Sequence, residues 1–225
     1  LFVAAGAVMV VLMLIIPLPT VLLDLFMSLN LVLNLLVLLI VLYTRKAIDF
    51  SVFPTVLLVS TVFGLGLNVS STRLILTLGT KFDGKMVRAF STFVIGSQGT
   101  EGLVIGFVIF IILIAVQVFV ITKGSTRVAE VAARFTLDAM PTKNMAIEAE
   151  YNAGAITDEE SRQRKRDVQR EADFYGAMDG ATKFVRGDAI AGIIITMINI
   201  IGRIIIGVMQ KDMPFQEALT TYTTL

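Results

Sequence analysis

The amino-acid sequence predicts an all-α integral membrane protein, a multi-span bundle of helices with a small, mainly helical insert exposed to water. Two observations support this prediction. The chain of 225 residues is 56% hydrophobic and only 16% charged, whereas a soluble domain is about 25% charged. The charges are also uneven: residues 1–43 contain a single one, Asp24, while residues 122–188 carry 23 of the 37 charged side chains.

Four apolar stretches precede the charged region, and a membrane-spanning helix needs about 20 such residues. We predict spans at residues 1–16, 20–43, 50–69 and 102–122. Because the first stretch starts at residue 1, we expect the N-terminus to be trimmed. Residues 70–100 mix apolar and basic positions, and there we expect two short amphipathic helices at the membrane surface. Alternation of the spans puts this basic stretch outside the cytoplasm, against the positive-inside rule.

The domain organisation follows from these spans. Residues 1–122 form the first four transmembrane helices, residues 123–186 form a cytoplasmic insert, and residues 187–225 hold a fifth transmembrane helix and the start of a sixth. Thr44-Arg45-Lys46, after the second span, indicates a cytoplasmic turn by the positive-inside rule.

The insert carries clear helix signals. Helical spacing of apolar residues predicts a helix over 127–140 that Pro141 stops. A second helix runs on to a C-cap near Gly154. A capping box at Thr157–Glu160 opens a third, highly charged helix. In that helix we expect i,i+4 pairs between Asp158 and Arg162 and between Glu160 and Arg164. We interpret the charges from 158 to 171 as a solvated face without a specific role.

Composition excludes several functions. The net charge of +1 leaves no dominant basic face, which argues against nucleic-acid binding. The absence of Cys and His excludes disulfides, thiol chemistry, Cys/His zinc sites and His-based catalysis. Any proton chemistry therefore falls to Asp, Glu, Lys, Arg or Tyr. As separate expectations, we predict no enzymatic activity, no metal and no cofactor other than protons as the coupling ion.

Asp188 stands at the predicted boundary between the insert and the fifth span, 189–210. Gly187-Asp188 before a helix is typical of an N-cap. The helix N-terminus and the nearby Lys183 and Arg186 favour the carboxylate, while the low-dielectric membrane edge favours the neutral acid. From the residues alone, a simple cap and a proton-responsive carboxyl group are both open interpretations.

Other polar residues lie within or near the spans. Asp24 follows the Pro17–Pro19 turn, which indicates a position at the membrane surface. Asn30 and Asn34 share one helix face, and we expect them to join helices by hydrogen bonds rather than bind ions. Arg203 is costly inside the fifth span, and we expect its side chain to extend to the membrane surface.

Two long segments, RVAEVAARFTLDAMPTKNMAIEAEYNAG (127–154) and EADFYGAMDGATKFVRGDAIAG (171–192), resemble the FHIPEP family. These proteins are export-gate components of flagellar and virulence-associated type III secretion systems. FSVFPTVLLVSTVF (50–63) and LNVSSTRLIL (67–76) resemble the family too. The sequence departs from the family at Thr142 and Arg203, where glycine is usual.

The resemblance implies a multi-pass protein of the bacterial inner membrane with eight helices, the insert between helices four and five, and a large cytoplasmic domain beyond this chain. It implies a ring of nine copies in contact with other export-gate membrane proteins. It further implies that the domain beyond this chain engages the export ATPase complex and substrate–chaperone complexes. The proton-motive force would drive export.

For individual residues, the resemblance implies that Asp188 is the energy-coupling carboxyl group, with Lys183 as its basic partner. It places Arg127, Arg134 and Asp138 in a charged network that supports export, although the last two, four residues apart, also fit an ordinary surface pair. Two other functions stay open. One is a small-solute transporter or ion channel, suggested by the polar residues in the spans, although no internal repeat supports it. The other is a structural scaffold with the insert as a docking platform.

Overall fold

A computed structural model describes residues 13, 15–16, 18–95 and 100–210. Over these ranges the prediction of an all-α protein is confirmed, because the regular backbone is helical and contains no strand. The predicted first span and the predicted start of a sixth lie mostly outside the described residues. The α-helices are α1 (Thr20–Tyr43), α2 (Phe53–Leu78), α3 (Lys85–Ile95), α4 (Thr100–Val116), α5 (Thr126–Asp138), α6 (Met140–Asn152) and α7 (Asp158–Gln210).

Four helical stretches of the described residues are long and apolar enough to cross a membrane: α1, α2, the stretch that begins in α4, and α7. Their large apolar side chains point outward, as expected for helices surrounded by lipid. Along α1, for example, Leu31 and Leu35 are more than half exposed. The protein is therefore a membrane protein by composition and by surface.

The third predicted span, 50–69, is too short, since α2 runs without a break to Leu78. Residues 70–78 were expected in an amphipathic surface helix because they contain Arg73. Instead, Arg73 stays in α2, and its Nη1 donates a hydrogen bond of 2.8 Å to the backbone carbonyl of Ile15. The carbonyl of Ile15, a residue of the predicted first span, thus provides an acceptor for the Arg73 guanidinium. Of the two amphipathic helices expected, α3 is the one present in the described residues.

The turn between α2 and α3 is built around Phe82. Gly79 ends α2 with a φ of 55°, a left-handed conformation that favours glycine. The Phe82 ring is fully buried in an apolar cluster with Leu23, Leu67 and Ile75. A Cβ atom added to Gly84 would lie 2.4 Å from this ring, so the packing of Phe82 requires glycine there.

The predicted fourth span was expected to end at residue 122, but no break occurs there. The backbone passes from α4 through a π-helix, Gln117–Ser125, directly into α5. In the π-helix the Thr122 hydroxyl donates a 2.7 Å hydrogen bond to the carbonyl of Gln117, five residues earlier. The fourth span and the first helix of the insert therefore form one nearly continuous column.

The predicted helix ends of the insert are confirmed. The chain turns at Ala139, and Pro141 occupies the first turn of α6, where its missing N–H costs no hydrogen bond. At the end of α6, Gly154 has a φ of 71°, and its N–H donates to the Tyr151 carbonyl while that of Ala155 donates to Glu150. This pattern is a Schellman motif.

The capping box that opens α7 is also present. The Thr157 N–H donates to Glu160 Oε2 at 2.9 Å, and the Glu160 N–H donates to Thr157 Oγ1 at 3.2 Å. This contact lowers the pKa of Glu160 below its ordinary value. From there α7 continues for 53 residues, a length of about 80 Å.

This long helix connects the parts of the molecule. It packs against α5 and α6 in the insert and against α2 in the predicted membrane region. Gly202, near its end, faces Leu76 of α2, whose Cδ2 would lie 3.4 Å from an added Cβ. The predicted boundary between residues 186 and 187 falls inside α7, so the insert and the fifth span share one uninterrupted helix.

The two ends of the α1–α2 hairpin have different neighbours. At one end, residues 46–51 and residues 167–177 of α7 line a cleft of about 930 Å³. At the other end, α3 follows the turn after α2 and packs against α1. The insert and the Thr44-Arg45-Lys46 turn therefore lie at one end of the hairpin, and α3 lies at the other.

Candidate functional site: charged residues on the long helix

Asp188 lies inside α7, thirty residues after the helix begins, so the interpretation as an N-cap is wrong. The backbone around Gly187 is helical, and no free N–H groups of a helix start are available to stabilise the carboxylate there. The stabilisation expected from a helix N-terminus is therefore absent. The prediction failed because Gly187-Asp188 has the composition of a helix start. In the structure, Gly187 lies within the continuous helix α7.

Lys183 does not pair with Asp188. Its Nζ lies 2.7 Å from Oδ2 of Asp179, one turn earlier on the exposed side of α7. This hydrogen bond raises the pKa of Lys183 above its ordinary value. Five residues of an α-helix correspond to a rotation of about 500°, so Lys183 and Asp188 point about 140° apart. Asp179, which the sequence reasoning missed, is the natural i,i+4 partner.

The carboxyl group of Asp188 is partly buried, and its Oδ1 is shielded from solvent without a hydrogen-bond partner in the described part of the chain. Asp179 presents a similar atom, since its Oδ1 is also buried and unpartnered while its Oδ2 binds Lys183. Buried carboxyl oxygens normally accept hydrogen bonds, because leaving them unpaired is costly. Two such atoms within ten residues distinguish this segment.

The three residues of the expected FHIPEP network lie on α5. Arg134 and Asp138 form an i,i+4 pair with a distance of 3.7 Å, and their side chains are 84% and 71% exposed. Arg127 is exposed as well. Within the described residues these side chains make no contact with Asp188 or Lys183, so the structure does not gather the five predicted charged residues into one cluster.

The charges between 158 and 171 do more than face solvent. Three ion pairs join α6 to α7, with nitrogen–oxygen distances of 2.6–2.9 Å. The predicted exposure of this face is confirmed, because the paired side chains are 34–58% exposed, and the structure adds contacts to α6 that were not predicted. We call these three ion pairs the ladder; they are Lys143–Glu171, Lys165–Glu148 and Arg164–Glu150.

One predicted pair in this face forms and the other does not. Asp158 and Arg162 lie 2.8 Å apart, as expected. Arg164 was expected to bind Glu160 but reaches Glu150 of α6 at 2.6 Å. Spacing within one helix cannot reveal a partner on the neighbouring helix. The two acids of α6, Glu148 and Glu150, were the available sign that α6 could bind the basic residues of α7.

Asp24 holds the first turn of α3. Its Oδ2 accepts a hydrogen bond of 2.9 Å from the N–H of Lys85, and its Oδ1 accepts one of 3.0 Å from that of Met86. A carboxylate at a helix N-terminus is favourable both as a hydrogen-bond acceptor and by the helix dipole. Because Gly84 cannot carry a side chain, the cap is supplied by α1 instead.

The polar residues within the spans satisfy one another. The Asn34 amide donates to Asn30 Oδ1 at 3.4 Å, and the Ser60 hydroxyl of α2 donates to Asn34 Oδ1 at 2.6 Å. This second contact is the interhelical hydrogen bond expected of the pair. Arg203 does not extend to the surface, because it is only 5% exposed and its Nε donates to Asn199 Oδ1 at 3.0 Å.

This geometry indicates what chemistry is available. In the described residues, no group of three or more acidic side chains is placed to hold a metal ion. Most charged groups of the insert and of the spans have assigned partners, and the prominent exception is the carboxyl group of Asp188. A carboxyl oxygen that is shielded from solvent and has no donor among the described residues favours the protonated acid.

The fold and this segment define a class: helical membrane proteins in which a water-exposed helical insert continues, through one long helix, into a membrane span. The chain belongs to the FHIPEP family, whose model matches residues 10–225.

Curated relatives agree with this assignment. The chain is 65% identical to the flagellar biosynthesis protein FlhA of Treponema pallidum, 58% to that of Borreliella burgdorferi and 54% to that of Bacillus subtilis. Nearly all of this chain is aligned in each case, but it spans only 32% of the length of these relatives. No solved structure matches the chain.

Proposed function

We propose that the chain is the N-terminal membrane part of a flagellar protein-export gate in the bacterial inner membrane, and that it couples the proton-motive force to export. The observation behind this proposal is the shielded, unpartnered carboxyl oxygen of Asp188 on the helix that joins insert and membrane. The names of the relatives, flagellar biosynthesis proteins, favour the flagellar system over a virulence system.

Protonation is the event that this environment favours. Withdrawal from water and the absence of a donor both favour the neutral acid. The carboxylate would need a new partner or water, which requires α7 or a neighbouring helix to shift. Proton binding and release at Asp188 would therefore alternate between two arrangements of this helix. Lys183 contributes indirectly, because Asp179 keeps its charge on another face of α7.

The remaining assignments belong to the same proposal. Other gate proteins of the membrane would surround the spans, and about nine copies would form a ring. The part of the protein outside this chain would engage the export ATPase complex and substrate–chaperone complexes. Arg127, Arg134 and Asp138, exposed on α5, would offer these partners a surface rather than an internal network.

Replacement of Asp188 in the full-length protein tests the proposal. Asp188→Asn keeps the shape of the side chain but cannot be protonated and deprotonated, and we expect secretion of flagellar proteins into the medium to fall to background. Asp188→Glu should retain part of the secretion. The matched control is Asp173→Asn, an acid on the exposed surface of α7 that binds Gln169, which should secrete normally.

Membrane insertion is measured in parallel by fractionation. Undiminished secretion by Asp188→Asn would overturn the coupling role. Secretion lost together with membrane insertion would favour a structural role for this carboxyl group. If secretion stayed normal and the purified protein carried a small solute across liposomes, the transporter function would replace the one proposed.

A further inference from the structure

We infer that α3 is a lipid-binding surface: it lies in the headgroup layer of the membrane with Phe90 and Phe93 inserted at the boundary of the acyl chains. This inference concerns a different part of the molecule from Asp188 and does not rest on the proposed export function. It assigns a lipid partner to a helix that the proton-coupling site leaves unused.

The position of α3 fits the membrane surface. The helix follows the turn at the end of α2, opposite the end where residues 46–51 meet α7. Asp24, at the start of α1, binds its first two N–H groups. α1 and α2 are about 36 and 39 Å long by their rise, so their ends reach the interface of a hydrocarbon layer about 30 Å thick.

The outward face of α3 is aromatic. Phe90 is 63% exposed and Phe93 is 85% exposed, and three residues of separation place them on the same side of the helix. Val87, one turn before Phe90, packs against the buried cluster that contains Phe82, and each step of three residues rotates the position by about 60° further from that contact. Only part of the apolar surface of α3 therefore packs against the rest of the protein. Its two phenyl rings point outward, as apolar side chains of interfacial helices do.

The polar border of α3 is basic. Lys81 and Lys85 are exposed and Arg88 is exposed beside them, while Asp83 is the one acid between them in the sequence. Arg88 is partly engaged, since its guanidinium donates to the carbonyl of Phe82. Within the described ranges, neither Lys81 nor Lys85 has an ion-pair partner, and ammonium groups at this level suit the phosphates of lipid headgroups, which every bacterial glycerophospholipid carries.

A rigid support fixes the orientation of these rings. The Asp24 carboxylate holds the first turn, and the buried Phe82 ring leaves no room for any residue but glycine at position 84. Arg88 closes the turn through the Phe82 carbonyl. The face of α3 is therefore set by the protein and is not a loose segment that adapts to its surroundings.

Continuity identifies lipid, rather than a protein, as the occupant. The next helix, α4, presents Phe107 at 62% exposure and Ile112 at 54% on a stretch apolar enough to span a membrane. α3 packs against α4, so the aromatic face of α3 extends an apolar surface that already faces acyl chains. By contrast, Phe135, which is 72% exposed, lies on α5 of the charged insert.

Tryptophan fluorescence tests the inference, since residues 1–225 contain no tryptophan. The full-length protein with Phe93→Trp is reconstituted in vesicles of phosphatidylethanolamine and phosphatidylglycerol with brominated acyl chains. The spectrum of the parent protein is subtracted to remove any tryptophan elsewhere. We expect bromine near the top of the acyl chains to quench this tryptophan most strongly. Phe107→Trp is the membrane control and Phe135→Trp is the aqueous control.

The outcomes separate the alternatives. Quenching of Phe93→Trp by shallow bromine, with none for Phe135→Trp, supports the inference. If Phe93→Trp is quenched no more than Phe135→Trp while Phe107→Trp is quenched, α3 is covered by protein or water and the inference is wrong. Phe90→Trp provides a second reporter if the first variant fails to insert, and the same criterion applies to it.

Discussion

Two charged segments of α7 differ in how their charges are satisfied. Between residues 158 and 171, acids and bases pair within the helix and across to α6 at 2.6–2.9 Å. Between 179 and 188, Lys183 has a partner, but one oxygen each of Asp179 and Asp188 is shielded and has no hydrogen-bond partner in the part of the chain that the structure describes. The first arrangement links α6 to α7 by exposed ion pairs, whereas the second leaves a carboxyl group whose environment favours the protonated form.

The sharpest test of this contrast compares stability at the two segments. Asp188→Asn replaces a carboxyl group, whose ionised form has no donor among the described residues, by a neutral amide of the same shape. It should therefore not destabilise the protein, and where the acid is ionised it should raise the free energy of unfolding by up to about 2 kcal/mol. Thermal unfolding of the full-length protein in detergent at neutral pH measures this. Asp167→Asn, which removes a solvent-exposed acid 3.7 Å from Arg170, should change it little. Clear destabilisation by Asp188→Asn would mean that the carboxylate has a stabilising partner.

Reversal of one charge in the ladder should lower the stability of the protein, in contrast to Asp188→Asn. Lys143→Glu places a second carboxylate beside Glu171, where the wild-type pair is 2.7 Å apart and each side chain is about one third or more exposed. We expect local stability of the α6–α7 hairpin to fall by about 1 kcal/mol. Hydrogen exchange of backbone amides in α6 measures this local opening.

The reciprocal change supplies the control for the ladder. Adding Glu171→Lys to Lys143→Glu restores an opposite pair and should recover most of the protection. A double variant no more protected than Lys143→Glu alone would show that the pair contributes nothing to the hairpin.

The capping box extends the comparison to the start of α7. Thr157→Ala removes one of its two hydrogen bonds and should destabilise the first turn by about 1 kcal/mol. The pKa of Glu160 is lowered by the Thr157 N–H. A lowered folded-state pKa gives stabilisation that is present above the unfolded pKa and is lost as the pH falls through the folded value.

Amide exchange in the first turn of α7 reads out this pH dependence. Protection should stay constant around neutral pH and decline as the pH falls below 4.5, the ordinary value for glutamate. Glu160→Gln can still accept the hydrogen bond but does not titrate, so its protection should lack this decline. An identical decline in both proteins would assign the effect to other acids.

The smallest effect is expected on α5. Arg134→Ala breaks a pair that is 3.7 Å apart and more than 70% exposed, so the stability of the insert should change by less than about 0.5 kcal/mol. Any loss of secretion by this variant would then come from a lost contact with a partner. A large fall in the amide protection of α5 would contradict this prediction.

Local signals explain which parts of the fold could be predicted. The ends of the insert helices follow from Pro141, Gly154 and the Thr157–Glu160 box, because each acts through neighbouring backbone groups. The same reasoning failed where a partner is distant in sequence. Arg73 was excluded from the third span because its acceptor, the carbonyl of Ile15, lies 58 residues away.

The site was harder to predict for the same reason. Gly187-Asp188 has the composition of a helix start, and only the continuation of α7 shows that it is not one. Lys183 could have been paired with Asp179 by helix spacing alone, once the helix was known to be unbroken. The cap that Asp24 provides to α3 depends on tertiary contacts that spacing cannot report.

The length of α7 has a mechanical consequence. An unbroken rod of about 80 Å works as a lever, and a tilt of about 5° displaces one end by about 7 Å relative to the other. Asp188 divides that lever about 45 Å from its first residue and about 33 Å from its last. With Asp188 as the fulcrum, the same tilt would move the first residue of α7, in the insert, by about 4 Å and the last residue by about 3 Å in the opposite direction.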